Sequence, residues 1–262
     1  MNDRATLIAF LALVVIAGVN AVAVRASNAE LPPFWGATLR LLGAAAVFWL
    51  LVAIRRVPLP RGRALLGPVA YGVLAFGVTY ALIYFGLKQA HAGTAQVTLA
   101  LVPLLTMLLA VAQRQERFDP RGLAGALVAA GGIALIFGDQ LGASTPAVSL
   151  LALFLGAVAM AETGIFIRWL PHTEPSLMNA IGMTVGAVLL LLLSAVLGEP
   201  WAVPIKTDTW LALAYLVLPG SVVVFTLVLR ILSVWSASTA SYQFLLTPLV
   251  TLLVAAALVG EL

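Results

Sequence analysis

The chain of 262 residues contains no cysteine, only two histidines, and few charged residues, 9% in total. Without cysteine, neither a disulfide framework nor a thiolate metal site is possible. A soluble domain carries about a quarter charged residues, so this chain has too few to cover a surface in water. Its apolar fraction is 63% and its mean hydropathy is +1.11. The composition therefore predicts a protein whose solvent is lipid.

Signatures of enzymes are missing as well. His91 and His172 lie in predicted loops, and neither has carboxylates at metal-ligand spacing. No serine occupies a nucleophile elbow, and the chain has no glycine-rich phosphate-binding loop. We therefore expect no catalytic residue, no metal, no cofactor and no direct use of ATP. The net charge of +4 comes from basic residues in short connections, so it indicates membrane topology and not nucleic-acid binding.

Apolar runs long enough to cross a bilayer, about 20 residues, fill most of the chain. Nine runs are predicted as spanning helices, at residues 5–25, 33–54, 64–87, 92–112, 121–138, 147–169, 175–197, 209–231 and 236–258. The first run is longer than a signal-peptide core, so we expect it to be retained as a helix. The fifth run contains Gly122, Gly125, Gly131 and Gly132, which predicts close packing against a neighbour.

An internal repeat relates the two halves. With an offset of 145 residues, Pro103 falls on Pro248 and Glu116 falls on Glu261, and both segments are apolar helices interrupted by one proline. We assign residues 1–140 to a first repeat of five helices and residues 147–262 to a second repeat with four. The repeat predicts a tenth helix beyond the last residue given. The fold class is therefore an all-α, ten-helix transporter bundle of five plus five helices, of which nine are in the sequence.

Because each repeat has an odd number of helices, the second repeat must enter the membrane from the opposite side, which gives an inverted repeat. The basic residues agree with a cytoplasmic N-terminus, since ten of them then lie inside and three outside. The ten are Arg4, Arg55, Arg56, Arg61, Arg63, Arg114, Arg117, Arg121, Arg168 and Arg230, and the three are Arg25, Lys88 and Lys206.

Prolines inside spanning helices mark candidate hinges. Pro103, Pro219 and Pro248 each remove one backbone hydrogen bond and leave a carbonyl oxygen free. A free carbonyl is costly in lipid, so we expect these positions to face protein or a wet cavity. The alternative is a plain kink repaired by a neighbouring Ser or Thr.

Polar and aromatic residues at membrane depth predict the walls of a central cavity. They are Asn20, Tyr80, Tyr84, Gln96, Glu162, Thr163, Trp235, Tyr242 and Gln243. The alternative for individual Ser and Thr residues is hydrogen bonding between helices.

Two ionisable residues lie within predicted spans, where a charge is costly and a functional role is the first hypothesis. Arg40 is either a structural anchor on helix-end carbonyls or a partner for a substrate carboxylate. Glu162 is a candidate proton acceptor or a partner for a substrate amine. Its alternative is a carboxylate that reaches the cytoplasmic boundary.

The Arg-bearing second helix after Pro32-Pro33 and the matched segments ALVPLLTMLLA…QE and LLTPLVTLLVA…GEL resemble the EamA-type family of the drug/metabolite transporter superfamily. Within that family the chain looks most like the exporters of aromatic amino acids. The resemblance implies ten helices around a central substrate cavity in the inner membrane. It also implies export of amino acids or similar small metabolites.

We therefore predict a multi-pass secondary transporter whose partners are a small-molecule substrate and membrane lipid. The alternatives are a multidrug exporter for lipophilic cations, which needs a carboxylate on the substrate path, and a membrane channel or scaffold that does not transport. The exact substrate, the energy coupling and the oligomeric state are left open by the sequence.

Overall fold

The computed structural model describes residues 3–90, 92–136, 138, 145–171 and 173–259. His91, His172 and Glu261 lie outside the described residues. In the described part of the chain the regular structure is helical throughout and forms nine helices, as the apolar runs predict. They are α1 Asp3–Ser27, α2 Pro33–Ile54, α3 Gly62–Leu87, α4 Ala92–Leu99 with Val102–Ala112, α5 Pro120–Ile136, α6 Ala147–Trp169, α7 Pro175–Val196, α8 Thr207–Leu232, and α9 Ala237–Ser241 with Gln243–Val259.

Eight of these nine described helices are long and apolar enough to cross a membrane, and α5 is shorter, with 17 residues. Proline occupies the first turn of α2, α5 and α7, at Pro33, Pro120 and Pro175. This position suits proline because the first backbone N–H groups of a helix have no partner within the helix. The prolines that close the connections between apolar runs therefore mark where these three helices begin.

The helices pack in pairs that are repeated between the two halves. α2 and α7 pack along each other and provide most of the largest buried cluster. In the first half's pattern, α1 packs on α8 and α9, and the equivalent helix α6 packs on α3 and α4. In the same way, α2 contacts α8, and the equivalent helix α7 contacts α3. Exchanging each helix for the one five later leaves this set of pairs unchanged.

Two helices contain a π-helical stretch, one in each half. The stretch in α3 covers Gly72–Val78 and the stretch in α8 covers Leu218–Val223. At the 145-residue offset both stretches end at equivalent residues, since Val78 falls on Val223. A π-helical turn widens the helix and frees backbone groups, and such turns are frequent at functional sites.

Glycines allow α7 to approach the π-helical stretch of α3. A Cβ added at Gly186 would lie 2.2 Å from Cβ of Phe76, and one added at Gly182 would lie 2.8 Å from the Tyr71 ring. Both distances are too short for real side chains. The contact between α3 and α7 therefore requires glycine at these two positions of α7.

The expectation that the glycines of α5 serve close packing is wrong for three of them. A Cβ at Gly125, Gly131 or Gly132 would meet nothing within 4 Å. Only Gly122 is close to other groups, namely the Asp119 carboxylate and the Tyr242 hydroxyl. These three glycines point away from the described helices because α5 lies at the edge of the bundle, on α4 and α9.

We expect Gly186→Ala to destabilise the protein by about 1–3 kcal/mol, because a methyl group forced into a filled space displaces Phe76 or the backbone of α3. Gly131→Ala is the matched control and should be neutral or slightly stabilising, since its new methyl group meets open space and alanine favours helix. Thermal unfolding in one detergent compares the two. Equal midpoints would contradict the close α3–α7 contact.

Candidate functional site

Arg40 is buried within the bundle, with only 5% of its surface exposed. It lies seven residues into α2, which is about 10 Å below the start of the helix at 1.5 Å per residue. Its Nε donates to Ser221 Oγ and its Nη2 donates to the Gly220 carbonyl oxygen, both at 2.8 Å. The guanidinium carbon also lies 5.8 Å from the centre of the Tyr80 ring. These partners are all neutral, so the positive charge has no counter-ion among them.

The two hydrogen-bond partners of Arg40 lie on the π-helical stretch of α8, in the Pro219-Gly220-Ser221 sequence. The Gly220 carbonyl oxygen also accepts a hydrogen bond from Asn20 Nδ2 of α1, at 3.1 Å. A Cβ at Gly220 would lie 2.1 Å from Asn20 Oδ1, so glycine is required for this approach. Three helices, α1, α2 and α8, therefore converge on one backbone carbonyl within the membrane.

An aromatic row extends from the Arg40 site along α3. The rings of Tyr80 and Tyr84 are 5.9 Å apart, and Tyr84 lies 6.3 Å from Phe34 of α2. In the other direction Phe76 lies 6.1 Å from Tyr80 and 4.8 Å from Phe225 of α8. Of the predicted residues, the structure thus brings together Arg40, Asn20, Tyr80 and Tyr84. The cation of Arg40 lies beside the aromatic ring of Tyr80, and Asn20 shares the Gly220 carbonyl oxygen with it.

Glu162 and Thr163 form a separate group on α6. Gln113 Nε2 donates to Glu162 Oε2 at 2.7 Å, and Gln113 immediately follows the end of α4. The carboxylate is therefore at the depth where α4 ends, and it is half-buried. The Thr163 hydroxyl donates to the Ala159 carbonyl of its own helix.

Tyr242 of α9 and Trp235, in the connection before α9, make contacts with residues outside the Arg40 site. The Tyr242 hydroxyl donates to the Gly122 carbonyl oxygen at 2.9 Å, which links α9 to the start of α5. Trp235 packs against Phe10 with ring centres 5.3 Å apart. Gln243 and Gln96 are half-buried.

Pro103 and Pro248 are both buried, as expected for prolines that face protein. The helical break in α4 lies at residues 100–101, directly before Pro103. In α9 the break lies at Tyr242, and Pro248 is inside the continuous segment Gln243–Val259. The expectation of equivalent breaks is therefore wrong in detail, because the first segment of α9, which Ser236 caps at its start, already ends at Ser241, well before Pro248.

Two carboxylates that the sequence did not single out join the halves at one face of the bundle. Glu199, after α7, accepts hydrogen bonds from the backbone of Phe34 and Trp35 at the start of α2, at 3.4 and 2.9 Å. Glu30, after α1, accepts from the Lys206 backbone at 3.0 Å and from the Thr209 hydroxyl at 2.5 Å at the start of α8. The Thr209 hydrogen bond lowers the pKa of Glu30. At this face, therefore, a carboxylate after one helix caps the start of a helix in the other half.

A cavity of about 450 Å³ opens at the opposite face, between the ends of α6 and α8 and the start of α7. Its wall includes Arg168 and Arg230. Met178 and Leu229 belong both to this wall and to the buried cluster that contains Tyr84. The cavity therefore borders the largest buried cluster at this face of the bundle.

Two repeated sets of spanning helices that meet around a buried cation and a broken helix are typical of the class of secondary membrane transporters. The chain belongs to the EamA-like transporter family, which matches residues 4–138 and again residues 147–262.

Similarity to known proteins extends over almost the whole chain. The uncharacterized inner membrane transporter YedA of Escherichia coli K12 is 26% identical over 256 residues, which cover 97% of this chain and 82% of YedA. YedA of Escherichia coli O157:H7 matches with the same values. A crystal structure with 22% sequence identity superposes with a TM-score of 0.82 and covers 100% of this chain and 91% of the other, which shows the shared fold.

Proposed function

We propose that this protein is a secondary transporter of the inner membrane that exports amino acids or related small metabolites. Transport proceeds by alternating access through the region around Arg40. The observation that carries the proposal is the buried, positively charged Arg40, whose partners in the described residues are a hydroxyl, a carbonyl and aromatic rings.

Burying a charge at this depth costs free energy, so a functional role is the first explanation for Arg40. A substrate carboxylate would supply the missing counter-charge and would bind the planar guanidinium with two hydrogen bonds. The rings of Tyr80 and Tyr84 beside it suit an apolar or aromatic side chain. An amphiphilic molecule with a carboxylate and an apolar part matches both features, and aromatic amino acids are one such class.

The proposed orientation has the N-terminus in the cytoplasm and the two repeats inverted. Five helices per repeat reverse the direction of the second repeat, and the preserved set of helix pairs supports a twofold relation. The positive-inside rule then assigns Arg168 and Arg230, with their cavity, to the cytoplasmic face. The face capped by Glu30 and Glu199 is the outer face. On this orientation the cavity beside Arg168 and Arg230 opens to the cytoplasm, which suits loading of a substrate for export.

The alternative of an exporter for lipophilic cations relies on Glu162. This carboxylate is half-buried and accepts a hydrogen bond from Gln113 at the end of α4, away from the aromatic row. The charge that lacks a counter-ion near the aromatic rings is positive, which favours an anionic group over a cation. A channel or scaffold would not need a charged side chain attached to a broken helix.

The test is efflux and uptake by the purified protein in proteoliposomes, with a panel of amino acids, other carboxylates and cationic drugs, with and without a pH gradient. We expect saturable transport of carboxylates that carry an apolar or aromatic group. Transport restricted to organic cations would favour the multidrug alternative. Equal passage of all solutes without saturation would favour a channel.

Glu162 is the candidate for proton coupling, because it lies within α6 and its partner Gln113 is neutral. We expect Glu162→Gln to flatten the pH dependence of carboxylate transport, whereas Glu174→Gln should leave it unchanged, because Glu174 only caps α7 and pairs with Arg55 on the surface. The comparison is the transport rate against internal and external pH. An unaltered profile in Glu162→Gln would contradict coupling through this carboxylate.

A further inference from the structure

We propose that the substrate anion and the π-helical stretch of α8 compete for the same edge of the Arg40 guanidinium, so that binding releases α8 from α2. This inference rests on the proposed function, since it concerns how the same arginine couples binding to movement.

The geometry of the two hydrogen bonds carries the inference. Nε bonds Ser221 Oγ and Nη2 bonds the Gly220 carbonyl oxygen, each at 2.8 Å. Nε and Nη2 together form one edge of the planar guanidinium, and a carboxylate binds such an edge with two parallel hydrogen bonds. In this conformation a hydroxyl and a carbonyl oxygen of α8 occupy the two positions that the carboxylate oxygens would take.

Replacing these two acceptors by a carboxylate is electrostatically favourable. The present acceptors are neutral, whereas a carboxylate brings a negative charge to a buried cation, and hydrogen bonds between ionised groups are roughly twice as strong as neutral ones. The Gly220 carbonyl oxygen keeps its bond from Asn20 when Arg40 leaves. The cost of releasing the carbonyl is therefore reduced, because the oxygen is not left without a donor.

The released segment is one that can change shape. Pro219 supplies no backbone N–H, and the segment is already π-helical and not α-helical. In the described residues, the equivalent stretch of α3 packs through Phe76 against Gly186 of α7. The stretch of α8 is instead attached through hydrogen bonds from Arg40, which an anion can displace, so we infer that α8 is the helix whose position responds to substrate.

Ser221→Ala tests the competition, because it removes one of the two competing acceptors and leaves Arg40 and its charge in place. We expect the full-length variant in lipid nanodiscs to bind phenylalanine or phenylacetate about 5- to 10-fold more tightly than the natural protein. Phenethylamine, which lacks a carboxylate, should show no gain. Thr106→Ala is the matched control, because its buried hydroxyl bonds only the Val102 carbonyl of its own helix.

A second measurement follows α8 directly. The chain contains no cysteine, so spin labels can be placed at exposed positions Leu42 of α2 and Leu218 of α8. We expect phenylalanine to lengthen or broaden the distance between these labels, and Ser221→Ala to shift it in the same direction without ligand.

The outcomes separate this inference from the proposed function. Tighter carboxylate binding by Ser221→Ala, with the shift in distance, supports the competition. Equal or weaker binding by Ser221→Ala, while Arg40→Met loses binding, overturns the competition and leaves the proposed function intact. Binding that is unchanged in both variants overturns the assignment of Arg40 as the carboxylate partner, and with it the proposed function.

Discussion

Replacing Arg40 by Met is expected to lower the affinity for carboxylate substrates by about 100-fold or more and to abolish their transport at low concentration. Truncation of one partner of a buried charge pair costs about 2–5 kcal/mol, or about 30- to 4,000-fold in affinity, and the expected loss lies within this range. The reason is specific to the site: the described partners of Arg40 are neutral, and the guanidinium is a buried positive charge beside the Tyr80 ring. Binding of phenylalanine and of phenethylamine, followed by calorimetry, provides the measurement.

Met is chosen because it has a similar length and no charge, so the packing between α2 and α8 is largely kept. Removing Arg40 also removes the desolvation cost of a buried charge, and the Gly220 carbonyl oxygen retains its donor from Asn20. Arg40→Lys keeps the charge and loses the planar fork, so its affinity should be intermediate. Arg56→Met, in the exposed turn that follows α2, is the control and should bind normally. Normal carboxylate affinity in folded Arg40→Met would identify the arginine as a structural anchor alone.

The helices and their order could be predicted from the sequence, because in lipid a backbone must satisfy its own hydrogen bonds and the length of each apolar run then determines a span. The internal repeat, which aligns Pro103 with Pro248, also predicted which helix of one half is equivalent to which helix of the other. The glycines of α5 misled the prediction for a physical reason. Glycine is compatible with close packing but does not require it, and Gly131 shows open space where a partner was expected.

The candidate site could be predicted only in part. Arg40, Asn20, Tyr80 and Tyr84 could be found because a polar or charged group at membrane depth needs a partner. Which partner it meets depends on helix rotation, which the composition does not encode. Tyr242 illustrates this point, since its hydroxyl bonds the start of α5 and not the region around Arg40.

Ser221 was missed although a signal existed. It directly follows Pro219-Gly220, where the proline frees backbone groups and a hydroxyl is available for a buried donor. The π-helical stretch of α3 had no comparable signal, since the offset places Leu74 opposite Pro219 and leucine gives no indication of a break. A repeated backbone feature can therefore be fixed by proline in one copy and by packing in the other.

This difference between the copies has a mechanistic meaning. The stretch in α3 is fixed by glycine-mediated contact with α7, and a contact of this kind has one arrangement. The stretch in α8 is fixed by hydrogen bonds from Arg40, which an anion can exchange. On the proposal above, the two halves of similar shape differ in this contact, and the stretch of α8 is the one that a bound anion can release.

The paired prolines of α4 and α9 give the second large expected effect. Pro103→Ala and Pro248→Ala each restore a backbone N–H and remove the clash of the proline ring with the preceding turn, so each helix should straighten and stiffen. Folding should survive, since alanine is the best helix former. Transport should fall more than binding does, because the site around Arg40 lies on other helices, α1, α2, α3 and α8.

The surroundings of Pro248 explain why a small change of direction matters there. Val250, two residues later, lies against Gly18 of α1, where a Cβ would be 2.5 Å from Val250 Cγ1. The Thr251 hydroxyl donates to the Gly18 carbonyl oxygen at 2.9 Å. A straighter α9 therefore shifts its contact with α1 at Gly18, so the bend at Pro248 determines how these two helices pack. Pro103 lies beside the break of α4 at residues 100–101, so its replacement should join the two segments into one rigid helix.

We expect the double variant to bind phenylalanine with near-normal affinity and to transport it at less than about a tenth of the natural rate. The reason is that stiffening the two helices slows the change between inward and outward access and leaves the binding residues in place. Accessibility of single cysteines placed at exposed Leu59 and Ile205, at opposite faces, should show the protein trapped with one face closed. Pro58→Ala is the matched control, because this proline lies in the exposed connection between α2 and α3. Transport at the natural rate in both single variants and in the double variant would show that the prolines serve packing and not movement.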